Sequence, residues 1–198
     1  MPNILRKSIA AAAVALSITG AAQAQSGGSV QPANNVVLVH GAFADGSGWR
    51  GVYDDLTERG YHVTIVQNPL TSLADDVAAA NRVLERQDGP TILVGHSWGG
   101  TVITEAGVHP NVTGLVYLSA LIPDKGESSA QQYEGYQGPP EFVLDPQADG
   151  FAFLDLENFK AGFANDTTDA DAAFLRDSQV PINISAFETK LQNAAWRT

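Results

Sequence analysis

From residue 35 onward, runs of apolar residues alternate with segments whose apolar positions recur every three to four residues. Asn35 to His40 is a short, continuously apolar, β-branched run, the pattern of a strand buried on both faces. A Gly-rich loop follows, and Trp49 to Arg59 predicts a helix closed by Gly60 as its C-cap. Tyr61 to Val66 reads as a second strand. Ser72-Leu-Ala-Asp75 is a variant capping box opening a helix whose Leu73, Val77, Ala80 and Leu84 share one face, and Gly89-Pro90 stops it. Thr91 to His96 predicts a third strand, Gly99 to Val108 a helix, and Gly114 to Ala120 a fourth strand. Repeated strand–helix–strand units with right-handed crossovers imply an α/β class: a mostly parallel sheet with helices on both faces, in three layers.

Beyond Ala120 the pattern loosens. Residues 122–150 are rich in Pro, Gly, Gln and Glu, after which Phe151, Phe153, Leu154, Leu156, Phe159 and Phe163 form a short amphipathic stretch. Asp166 to Asp177 predicts an acidic, solvated helix, and residues 181–198 hold no β-branched run of core quality. The expected organisation is one domain over 35–198, with a sheet core at 35–121 and a lid-like insertion at 122–180.

The N-terminus has a different pattern. Arg6 and Lys7 precede the apolar run Ile9 to Ile18, and Ala22-Gln23-Ala24 is a small-x-small cleavage signal. This is the layout of a secretory signal peptide over 1–24, with 25–34 a flexible Ser/Gly/Gln leader. The expectation is export, to the periplasm or beyond, with no stable membrane anchor once the peptide is removed. Cleavage leaves nine basic against twenty-two acidic residues, a net charge of −13. Such a surface repels nucleic acid and anionic lipid. Cysteine is absent, which excludes thiolate catalysis, zinc-thiolate sites and disulfides.

Gly95-His96-Ser97-Trp98-Gly99 matches G-x-S-x-G directly between a predicted buried strand and a predicted helix. That is the context of a nucleophile elbow, in which a strained turn presents a serine hydroxyl at the positive end of a helix. His40-Gly41-Ala42-Phe43 ends another strand, where two fixed N–H donors would stabilise an oxyanion. The main-chain amides of Ala42 and Trp98 are the candidates.

Val36-Val-Leu-Val-His-Gly-Ala-Phe43, the Trp49 helix and Leu93-Val-Gly-His-Ser-Trp-Gly-Gly100 together resemble the α/β-hydrolase superfamily. The spacing from His40-Gly41-Ala42 to Trp49 is similar to the branch of small esterases and hydroxynitrile lyases. The resemblance implies a Ser–acid–His triad with Ser97 as nucleophile, an oxyanion hole at Ala42 and Trp98, and a small-molecule ester or carbonyl substrate. It implies no cofactor and no metal.

In such folds the acid and the histidine follow the serine along the chain. His40 and His62 precede Ser97, His96 points away from it by strand alternation, and His109 lies well up the next helix. None fits the base. Asp124 and Asp45 read as a solvated loop carboxylate and a turn former. The sequence therefore reads as a C-terminally shortened hydrolase, with an unpaired edge on its fourth strand and impaired turnover. Cyanohydrin cleavage, a binding protein that captures a small apolar ligand without turnover, and an inactive fragment are the alternatives. Phe151, Phe153, Phe159 and Phe163 either select an apolar acyl or alcohol group or serve as core.

Overall fold

The computed structural model describes residues 32–198, so the segment expected to be a signal peptide (1–24) and all but the end of the expected leader (25–34) lie outside the described residues. Strand β1 (Asn35–Val39) pairs in parallel with β2 (His62–Val66) on one side and β3 (Thr91–Ser97) on the other. Strand β4 (Val112–Ala120) lies parallel beyond β3, giving the order β2-β1-β3-β4.

Alternation along β1 divides the core into two layers. Val37 and Val39 face a cluster that includes Leu84, Trp98, Val102 and Ile103, contributed by α2 (Leu73–Leu84) and α3 (Trp98–Ala106). Val36 and Leu38 face the opposite side, with Trp49 and the Leu56 of α1 (Arg50–Glu58). Helices therefore cover both faces, as the doubly apolar strands require. On α2, Leu73, Ala80 and Leu84 are buried and Val77 packs beside them, while the Ser72 hydroxyl accepts from the Asp75 amide at 3.1 Å.

Element ends differ from the pattern-based expectation for local reasons. The first strand stops at Val39 rather than His40, whose main-chain carbonyl accepts from the Asn68 side-chain amide at 3.0 Å instead of joining the strand ladder. The Trp49 helix is preceded by a 3-10 turn, Gly46–Trp49, nucleated by Asp45, whose carboxylate accepts from the Ser47 amide at 2.8 Å. Helix α3 begins at Trp98, one residue after Ser97, rather than at Gly99.

The region after the sheet is more ordered than its composition suggests. A one-turn helix α4 (Ser129–Gln132) carries a full capping box from Ser128 and Gln131. Strands β5 (Leu144–Pro146), β6 (Phe151–Leu154) and β7 (Ile182–Asn183) form a small antiparallel sheet. The amphipathic stretch thus splits into β6 and a short helix α5 (Phe159–Phe163). The acidic helix is α6 (Asp169–Asp177), capped by Thr168. Segment 181–198, expected to hold no strand, contributes β7 through two residues only.

Among the described residues β4 has a partner on one side alone, and its Val116 and Leu118 are 46% and 48% exposed. No helix among them is long and apolar enough to cross a membrane.

Candidate active site

Ser97 is the last residue of β3 and immediately precedes α3, with φ 51° and ψ −122°. A side chain in this left-handed region is sterically strained, which only surrounding structure can hold in place. The neighbours enforce the turn. A Cβ on Gly95 would lie 2.4 Å from the Gly99 carbonyl oxygen, and one on Gly99 would lie 2.5 Å from the Val39 oxygen. Both positions therefore admit glycine alone. At the same level β4 bulges, His96 aligning with Leu118 and Ser97 with Ala120, and the Leu121 amide donates to the Ser97 carbonyl at 3.1 Å. The Trp98 amide sits in the first turn of α3, where a helix leaves its N–H groups without internal partners.

The loop after β1 approaches this turn closely. A Cβ on Gly41 would stand 2.9 Å from the Ser97 Cβ. His40 is buried and accounts for both ring nitrogens. Nε2 accepts from the Asn68 amide at 2.9 Å, so Nδ1 carries the proton and donates to the Gly41 carbonyl at 2.9 Å. Its burial depresses the imidazole pKa, which favours this neutral form. The Gly41 carbonyl and the Ala42 N–H belong to one trans peptide, so the ring that holds the first also directs the second.

Beneath the Ser97 turn lies a group that the sequence pattern did not single out. Asp76 is fully buried on α2. Its Oδ2 accepts from the Trp98 indole Nε1 at 2.7 Å and its Oδ1 from the Leu70 amide at 2.7 Å. Burial pushes its carboxyl up to about 6, and the two donated hydrogen bonds hold it from rising further. Asp75 hides it in sequence, since the capping box draws attention to the neighbour. A polar residue at a position on the apolar face of α2 was the available signal.

Ser97 and Ala42 open onto a cavity of about 440 Å³. Its walls come from Phe43 of the loop after β1, Ala130 and Tyr133 around α4, Phe142 and Leu144, Phe163, and Ile184 and Phe187 beyond β7. No charged side chain lines it. Of the four phenylalanines singled out in sequence, only Phe163 reaches the cavity. Phe159 is buried core, with its ring centroid 5.2 Å from that of Phe163. Phe43 and Phe142, edge-to-face at 6.3 Å, were not expected in this role.

All four histidines of the chain lie within the described residues. His62 Nδ1 bonds Asn35 Oδ1 at 2.9 Å, and His109 Nδ1 accepts from the Asn111 amide at 3.2 Å. His96 turns to the opposite face of the sheet, edge-on to Trp49 at 6.3 Å, where burial lowers its pKa. None is hydrogen-bonded to the Ser97 hydroxyl, which has no cap bond of its own. Asp124 pairs with Arg197, which holds its carboxyl below the usual range, and Asp45 caps its turn. Among the described residues no cluster of His, Asp or Glu has the makings of a metal site.

Comparison with known proteins gives concordant results. The sequence pattern described as "Alpha/beta hydrolase family" matches residues 36–198. A probable hydrolase of Phoma sp. is 28% identical over 147 residues, covering 66% of this chain and 59% of that protein. A carbendazim-hydrolysing esterase of Nocardioides sp. is 32% identical over 108 residues, covering 48% and 45%. The chain thus spans about half the length of these relatives. The crystal structure of a pyrethroid hydrolase from Sphingobium faniae superposes with a TM-score of 0.65 at 23% identity, over 81% of this chain and 72% of that one.

Proposed function

Since the chain belongs to the alpha/beta hydrolase family, we propose that it acts on small apolar carboxylic esters through Ser97. The Ser97 Oγ bonds to the acyl carbon, and the main-chain N–H groups of Ala42 and Trp98 receive the oxyanion. The ester C–O bond then breaks, the alcohol leaves with a proton, and water hydrolyses the acyl-serine to the acid. The observation that carries this reading is the strained Ser97 turn, with φ 51°, facing a cavity that Ala42 also lines. The uncharged walls favour an apolar acyl or alcohol group. Relatives named as an esterase and a hydrolase support the same chemistry.

No imidazole bonds the hydroxyl among the described residues, so proton removal from Ser97 falls to solvent. Turnover by the 198-residue chain should then lie about four to six decades below that of a complete triad. The same observation favours a second reading, capture of a small apolar ligand without turnover. Expulsion of cyanide from a cyanohydrin would want a cation beside the leaving group, and the lining offers none.

A fluorophosphonate probe and p-nitrophenyl acetate separate these readings. Slow covalent labelling that disappears in Ser97→Ala, with weak hydrolysis above background, is the expected result. A folded chain whose labelling is unchanged by Ser97→Ala would remove Ser97 from the chemistry.

A further inference from the structure

Asp76 occupies a place where a leucine-like side chain would be cheaper, because a buried carboxyl forfeits its hydration. Its two oxygens meet donors from two separate parts of the site. Oδ2 holds the indole of Trp98, the residue that follows the nucleophile. Oδ1 holds the amide of Leu70, which sits at φ 57°, a conformation that a leucine adopts only when held. The Leu70 carbonyl in turn accepts from the Asn183 amide at 2.9 Å, adjacent to Ile184 in the cavity wall. The Trp98 indole also meets Phe187, another wall residue, at 4.9 Å between centroids. One carboxyl therefore ties the start of α3 to the loop before α2 and, through Leu70, to the wall of the cavity.

We propose that Asp76 is a positioning residue for the oxyanion site: by fixing the Trp98 indole it fixes the direction of the Trp98 main-chain N–H. The proposal rests on the assignment of Ser97 as nucleophile. Trp98 has no exposed surface, so its indole has no solvent partner to replace Asp76. Release of the ring would leave a buried N–H unsatisfied and free the first turn of α3 to rotate about Ser97.

The test is a double-mutant cycle with Asp76→Asn, which offers one acceptor where two donors converge, and Trp98→Phe, which keeps a ring but removes its N–H. Each single variant should slow fluorophosphonate labelling about tenfold in the inactivation step at saturating probe, with probe affinity unchanged. The double variant should be no slower than the slower single. Asp75→Asn, the neighbouring exposed carboxylate, should label at the wild-type rate. Cooperatively melting single variants that label at that rate, or losses that multiply in the double variant, would overturn the proposal. If Asp76→Asn does not fold, Trp98→Phe decides by the same rate criterion. If wild-type Ser97 does not label at all, the ester reading fails and the Trp98 main-chain amide resonance decides. A shift in Asp76→Asn but not in Asp75→Asn supports the clamp, and an unmoved resonance overturns it.

Discussion

Replacing Ser97 by glycine should make the protein more stable while destroying the site. The residue is held at φ 51°, ψ −122°, a conformation open to glycine and costly to any residue with a Cβ. Such backbone strain is worth about 1–3 kcal/mol. Against this, glycine adds freedom to the unfolded chain, a cost of about 0.4–1 kcal/mol. The lost hydroxyl contributes little, because it is only half-buried and makes no cap hydrogen bond. Ser97→Ala removes the same oxygen but keeps the Cβ, so it retains the strain. The difference between the two variants isolates the backbone term and should be about 1–2 kcal/mol in favour of glycine. For a domain of this size that corresponds to a melting temperature about 2–6 °C above that of Ser97→Ala. Thermal melts of the two variants and the wild type, run side by side, measure it. A glycine variant melting at or below the alanine variant would show that the turn is relaxed, and the assignment of an elbow would fall with it.

Gly99→Ala should be severe, since its Cβ would meet the Val39 and His40 carbonyl oxygens at 2.5 and 2.8 Å, neither of which can retreat without breaking β1. A loss of about 3 kcal/mol or more, read by urea unfolding, is expected. Asp76, raised to about 6 from an ordinary 3.8, binds its proton more tightly folded than unfolded. Its contribution to stability is therefore fully present below pH 4 and declines as pH rises through about 6. The stability of wild type relative to Asp76→Asn should accordingly fall between pH 4 and 7, by as much as about 3 kcal/mol, and parallel melts at both ends check the sign. Phe142→Ala should widen the cavity on the side of Phe43 and shift labelling preference toward probes with longer or bulkier alkyl groups. Equal relative rates across a chain-length series would remove Phe142 from substrate selection.

The sheet core was legible in the sequence because burial on both faces imposes near-continuous apolar runs, and because Gly95 and Gly99 flank a serine at a strand-to-helix junction. Ala42 stood out in sequence only as part of the Gly-containing turn directly after the first strand, and the cavity that it lines is completed by segments far along the chain. Other features left weaker traces. The strands β5, β6 and β7 are two to four residues long, too short for a period to register, and β6 finds its partner β7 only some thirty residues further along the chain. Phe43, Phe142 and Phe187 come together from three separate segments, so no local pattern marks them as one wall. The pairing of Asp76 with Trp98 spans 22 residues and appears only when α2 and α3 lie side by side.

The exposed margin of β4 has a consequence for handling the protein. Among the described residues the outer side of β4 is unpaired, and Val112 to Ala120 carries no charged residue, so this border lacks the lysine or inward-facing charge that commonly blunts a sheet edge. The formal charge of −11 over the 198 residues opposes such pairing by mutual repulsion. Acidification or concentrated salt would discharge or screen that coat, and strand-to-strand clumping along this border should set in before the fold itself is lost.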